Sequence, residues 1–218
     1  MRRGFRGDSG QAFPVYIAVV AGLLFLAFAY FAVGQAVVTR NGAQTAADAA
    51  ALAAAQDARR QLREGWLDVI LDPAQWGKFV DGEGYFTSSA CQQAAVFAAR
   101  NAAKLTGDAC EPLFQGFSVT VTSTGTVGRS LIPGTESQHA TASAKAVIEP
   151  KCRYIPPDIS VPGEPESGSN PTDPAEEPEP EPITGLSCGG DPWTIDPDDP
   201  KLPSAADLFT VRLAGDDE

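Results

Sequence analysis

Residues 13–63 read FPVYIAVVAGLLFLAFAYFAVGQAVVTRNGAQTAADAAALAAAQDARRQLR, and the fold turns on this stretch. From Phe13 to Val38 no side chain is ionisable except Tyr16 and Tyr30, and Gln35 is the one strongly polar residue. A helix of that length spans roughly 39 Å, against a hydrocarbon core of about 30 Å. Export signals carry a shorter apolar region of about 7–15 residues. The length therefore predicts a transmembrane helix over 13–38. The competing reading is a cleaved export signal, for which Ala27-Phe28-Ala29 supplies a small-residue pattern.

Downstream, alanine fills ten of the sixteen positions from Ala43 to Ala58. Alanine has the highest helix propensity, and no proline interrupts Gln35 to Arg63. The helix is expected to continue to about Arg63, with at most a bend near Asn41-Gly42. Ala43, Ala46, Ala47, Ala50, Ala51, Ala54 and Ala58 recur at helical spacing on one side. Such a smooth face suits packing within the chain and assembly with another chain equally.

Upstream, Arg2, Arg3 and Arg6 precede the span, and only Arg40 follows it closely. Short positive flanks stay cytoplasmic. The expected arrangement is a cell-membrane, single-pass chain, with residues 1–12 cytoplasmic and everything from about residue 39 extracytoplasmic.

Residues 65–87 gather turn signals, Asp72-Pro73 and Asp81-Gly82, around Trp66, Trp76, Phe79, Tyr85 and Phe86. A second helix is expected from Ser88 or Ser89 to about Leu105, with Lys104 in its last turn and Thr106-Gly107 as its stop. The hydrophobic period then becomes two. Phe117, Val119 and Val121 mark one strand, and Ala140 to Ile148 another. A short third strand is expected around Val127 to Ile132. The fold class is α+β: a long N-terminal helix, first transmembrane and then extracytoplasmic, carrying a small helix-plus-antiparallel-strand domain and a disordered, acidic, Pro-rich tail. The expected segments are 39–64 for the Ala-rich extension, 65–155 for the domain, 156–200 for the linker and 201–218 for a C-terminal piece able to dock on the domain.

The chain holds 28 acidic and 16 basic side chains. Of these, 16 acidic and two basic fall in residues 158–218. The negative charge thus belongs to the C-terminal part, where Pro and Glu dominate and few apolar residues are available for burial. No basic footprint for nucleic acid exists.

All four cysteines, Cys91, Cys110, Cys152 and Cys188, fall on the expected outer side, where disulfides form. Of the three possible connectivities, Cys91–Cys110 with Cys152–Cys188 is favoured, the second bridge tethering the tail. Zinc is the weaker alternative, since no Cys-x-x-Cys pair is present. Gly185-Leu186-Ser187-Cys188-Gly189 matches a hydrolase nucleophile turn. It lacks the preceding strand and following helix that such a turn requires, and His139 is the only histidine. The acidic run Asp191, Asp196, Asp198, Asp199 lacks calcium-loop spacing. The expectation is a non-enzymatic chain with no catalytic residues, cofactor, metal or small-molecule substrate.

Arg6-Gly7 and Gly10-Gln11-Ala12 before the span, and Gln44-Thr45-Ala46-Ala47-Asp48-Ala49-Ala50-Ala51-Leu52 after it, resemble the N-terminal region of TadE/TadG-like proteins of Flp (tight adherence) pilus systems. The resemblance implies a pilus-assembly or tight-adherence component whose partners are pilus or secretion machinery proteins, reached through the Ala-rich helix. Val15 stands where peptidase-processed members of that system carry glutamate, which places the chain nearer the TadG-like branch. The alternative functional class is a surface-displayed binding or adhesion module on an acidic stalk.

Overall fold

A computed structural model describes residues 12–126, 137–156, 182–196 and 201–215. Its spine is α1, one helix from Ala12 to Asp68. Its 57 residues extend roughly 85 Å. Asn41-Gly42 does not break it. The hydroxyls of Thr39 and Thr45 donate back to the carbonyls of Gln35 and Asn41, each at 3.0 Å, and the alanines beyond favour the helix intrinsically. The helix also outruns Arg63, because Leu62 and Trp66, both fully buried, extend the packed face by another turn. Pro73 then opens a 3-10 turn (Pro73–Gln75) that leads into the short α2 (Trp76–Val80).

Two environments divide α1. The segment from Phe13 to Val38 is bare, with Phe25 still 72% exposed. From Ala43 onward the alanine face is covered: all seven alanines named above are at most 1% exposed. On one side lies α3 (Thr87–Arg100). On the other lies an antiparallel sheet of β1 (Ala103–Leu113), β2 (Gly116–Thr126), β3 (His139–Pro150) and β7 (Phe209–Leu213), in the order β1-β2-β3-β7. The facing surfaces are small or branched: Ala90, Ala94 and Ala98 from α3, and Val119, Val121, Ala144, Ala146 and Ile148 from the strands. Small residues on both sides let the backbones approach closely, so dispersion contacts replace side-chain bulk. Of the two readings of this alanine face, packing within the chain and assembly with another chain, the first is observed: the chain's own domain occupies it.

The two strands with a period of two form β2 and β3, paired so that Phe117, Val119 and Val121 lie opposite Ala146, Ala144 and Ala142. The second helix starts at Thr87 and ends at Arg100, short of the expected Leu105. Ala102 takes a left-handed conformation, φ 52°, and turns the chain straight into β1. Lys104 and Leu105 pair with Thr122 and Val121. Burial of Ala103 and partial burial of Leu105 on alternate positions outweigh helix propensity there. The expected third strand at 127–132 lies outside the described residues.

The expected linker is also revised. Within 156–200, β5 (Ile183–Cys188) and β6 (Asp191–Ile195) form a second antiparallel sheet with β4 (Cys152–Tyr154). Tyr154 pairs with Leu186, and Cys152 is disulfide-bonded to Cys188. Residues 157–181 hold eight acidic and no basic side chains, and in the sequence they fall between β4 and β5, which pair with each other. The C-terminal segment docks through α4 (Ala205–Leu208), whose N-terminus carries a Ser204/Asp207 capping box, and through β7 on β3. Arg63 Nε donates to the Pro203 carbonyl at 2.8 Å, tying this return to α1.

Candidate functional site

The residues singled out in the sequence fall mostly on α1. Arg6, Gly7 and Gln11 lie outside the described residues. Ala46, Ala47 and Ala50 are buried in the core, while Ala49 and Leu52 are half-buried, Leu52 packing against the edge of that core. Gln44 and Asp48 sit one turn apart where α1 enters the domain. The Gln44 amide donates to Asp48 Oδ1 at 2.9 Å and to the Ser143 carbonyl on β3 at 3.2 Å. A groove of about 190 Å³ opens beside them, lined also by Ser118, Lys145 and Gly215. The polar pair thus fixes the helix against a carbonyl that β7, which ends at Leu213, does not reach.

A second polar cluster, not apparent from the sequence, lies further along. Asp57 is 5% exposed. Its Oδ2 accepts from the Gln61 amide at 2.7 Å and from the Ser89 hydroxyl at 3.0 Å, and Oδ1 pairs with Arg60. The Arg60 guanidinium is held above its ordinary pKa, mainly by its hydrogen bond to Asp57. Gln61 in turn accepts from the Phe86 backbone N–H at 2.8 Å. That bond serves the α3 N-terminus, where Phe86 supplies no side-chain cap. Ser88 and Ser89, the expected caps, lie inside the helix, and Ser89 turns to α1 instead. The only signal in the sequence was an aspartate embedded in an alanine run at core spacing.

Both cysteine pairs are joined, Cys91 to Cys110 and Cys152 to Cys188, and none of the four thiols is free. The first bridge staples α3 to β1 and the second staples β4 to β5. Beside the second, Trp76 contacts Trp66 and Tyr154 edge-on, with ring centroids 5.5 and 6.0 Å apart. The buried Trp66 indole N–H has no acceptor among the described residues.

The hydrolase-like turn is not assembled. Ser187 sits on β5, with its neighbour Cys188 consumed in a disulfide. His139 sits at the start of β3 in the other sheet, with Nδ1 2.8 Å from the Ser123 carbonyl. Among the described residues no three of His, Cys, Asp and Glu converge as metal ligands; Asp198 and Asp199 lie outside those residues.

The architecture defines a class: an α+β domain built around the second half of a helix whose first half is long and apolar enough to cross a membrane, with mean hydropathy 2.4. Residues 10–57 match a family model described as putative Flp pilus-assembly TadE/G-like. The match does not divide TadE-like from TadG-like members. It covers the apolar segment, the Gln44–Asp48 pair and the alanine face, and it ends at Asp57, so α3 and both sheets lie beyond it. No curated protein and no solved structure matches the chain.

Proposed function

We propose that this chain is a non-enzymatic, single-pass component of Flp-type pilus assembly. Its N-terminus lies in the cytoplasm and its α+β domain outside, and it belongs to the TadG-like branch. The observation that carries the reading is the continuity of α1. The same helix provides a bare apolar span and the central core element of the outer domain. A domain mounted this way cannot swing freely about a linker at the membrane exit; it stands at a fixed height and orientation. That suits a stationary element of an assembly platform, positioned to meet pilus subunits or secretion proteins. Two disulfides fit an oxidising compartment outside the cytoplasm. The cluster of arginines before the span, against Arg40 alone after it, supports the orientation.

The test is genetic. Deletion of the chain should abolish or strongly reduce surface pili seen by electron microscopy, and the full chain should restore them. Ser187→Ala should restore them equally well. Normal piliation in the deletion strain would remove the assembly role, and failure of Ser187→Ala alone would reopen the enzymatic one. The acidic-stalk alternative has less support, because residues 157–181 start and finish at the β4–β5 pair rather than between the anchor and the domain.

A further inference from the structure

Three contacts set the height of β3 along α1. The Gln44 amide donates to the Ser143 carbonyl, so β3 passes Gln44 at Ser143. Trp76 touches both Trp66 and Tyr154, so the chain just beyond β3 lies near the far end of α1. Between these levels α1 rises from Gln44 to Trp66, roughly 33 Å. The chain advances from Ser143 to Tyr154, roughly 36 Å when extended. β3 therefore runs outward nearly along α1, and the residues before Ser143 run the other way, toward the apolar span. From Ser143 to His139 the strand descends roughly 13 Å, and from Gln44 to Val38 the helix descends roughly 9 Å. His139, and Thr126 paired opposite it on β2, thus sit at the height where the span ends and Arg40 follows.

The composition at this height differs from that of the whole chain. Residues 122–126 on β2, 139–143 on β3 and 40–44 on α1 contain no carboxylate, in a chain with 28 acidic side chains. They carry six hydroxyls and two basic side chains, Arg40 and His139. Arg40, Thr124, Thr126, His139 and Thr141 are exposed. The His139 ring is held on the hairpin end, with Nδ1 2.8 Å from the Ser123 carbonyl and 3.2 Å from that of Gly125. In the sequence, residues 127–136 between the two strands add Val127, Leu131, Ile132 and Arg129, and one carboxylate, Glu136.

We infer that this end of the β2–β3 hairpin rests in the phospholipid headgroup layer beside α1, which gives the domain a second contact with the bilayer. The inference rests on α1 being a membrane span. The bilayer is the occupant because α1 is unbroken, and no linker separates the span from Gln44. The apolar run from Phe13 to Val38 exceeds the hydrocarbon core by roughly 9 Å, and the headgroups add roughly 5–7 Å on each side. The headgroup layer therefore falls at the height of Val38 and Arg40, where Thr126 and His139 are. Hydroxyls, the imidazole and the Arg40 guanidinium meet phosphate and glycerol oxygens there, with no carboxylate of these segments to repel them. One helix alone leaves the domain's tilt and rotation open. A hairpin seated on lipid to one side of the helix axis restricts both.

The experiment uses the full chain reconstituted into vesicles of phosphatidylcholine and phosphatidylglycerol. All four native cysteines are bridged, so an introduced thiol takes the label. A water-soluble fluorophore is placed in turn at Thr126→Cys, at Thr141→Cys two residues further out on β3, and at Glu64→Cys, roughly 30 Å beyond Gln44 on α1. Phe25→Cys, exposed within the apolar run, reports the span itself. Lipid carrying a nitroxide on its headgroup should quench the Thr126 label several-fold more than the Glu64 label, with Thr141 between them. Lipid brominated in its acyl chains should quench the Phe25 label most. Equal, weak headgroup quenching at Thr126, Thr141 and Glu64 with Phe25 still quenched would overturn the hairpin contact and leave the span standing. Absence of quenching at Phe25 would sink the span, and the contact with it.

Discussion

The hydroxyl of Ser89 donates to Asp57 Oδ2 across 3.0 Å, joining the start of α3 to the middle of α1 over 32 residues of sequence. Asp57 is almost fully buried and also accepts from Gln61 and Arg60. Truncating it strands two half-buried donors at once, the Gln61 amide and the Ser89 hydroxyl. Asp57→Ala should therefore destabilise the outer domain by about 2–3 kcal/mol, whereas Ser89→Ala, which leaves Gln61 and Arg60 bonded, should cost about 1 kcal/mol. Urea unfolding of the detergent-solubilised chain measures both. Equal losses would show that the Ser89 bond carries the whole Asp57 contribution, and no loss for Ser89→Ala that Asp57 is held by its α1 neighbours alone.

Two glycines separate hard from soft collisions. A Cβ at Gly116 would strike the backbone carbonyl of Ala146 on the neighbouring strand, and one at Gly65 would strike the Phe79 ring. A ring can rotate away and a paired strand cannot. Gly65→Ala should cost about 1–2 kcal/mol and Gly116→Ala about 3 kcal/mol or more. The reverse order by chemical denaturation would contradict the β2–β3 register.

The disulfides close chain separations of 19 and 36 residues. Chain-entropy reasoning assigns about 3 kcal/mol to the shorter and about 4 kcal/mol to the longer. Replacing Cys152 and Cys188 together by alanine should lower stability more than replacing Cys91 and Cys110. It should also raise protease sensitivity around β5 and β6. Peptide mapping without reductant checks the pairing itself, and any Cys91–Cys152 or Cys110–Cys188 peptide would refute it.

Asp207 caps α4, and its carboxyl is held below the ordinary aspartate range, first by its hydrogen bond to the Ser204 hydroxyl and then by the Ser204 backbone N–H. A depressed folded-state pKa means that the contribution is present above the unfolded value and fades as pH falls through the folded one. Hydrogen exchange in Ser204–Leu213 should accelerate below about pH 4. Asp207→Asn should already exchange faster at neutral pH and lose that acid dependence. An identical pH profile in the variant would remove the cap from the account.

The helix, its alanine face and the β2–β3 pair were legible because each repeats a simple period over many residues. What lay hidden depended on single residues or distant partners. The end of α3 is set by Ala102, a left-handed alanine that no composition rule flags. β5 and β6 are broken by Gly185 and Pro192 and read as loop until Cys152 and Tyr154 provide a strand to pair with. β7 is a strand because Ala146 to Pro150 lie open at the sheet edge, about sixty residues earlier in the chain. The alanine stretch was ambiguous for a physical reason: a smooth face packs equally well on its own domain or on another chain, and only tertiary structure decides. It placed that face inward.

The central claim is that α1 crosses the membrane once and holds its domain on the far side. Thiol labelling with a membrane-impermeant maleimide tests it directly, because the four native cysteines are bridged. The account predicts that Glu64→Cys labels on intact cells, while Gly4→Cys labels only after the inner membrane is opened, with both variants retained in the membrane after carbonate extraction. Labelling of Gly4→Cys on intact cells, protection of Glu64→Cys, or recovery of either chain in the soluble fraction would contradict it.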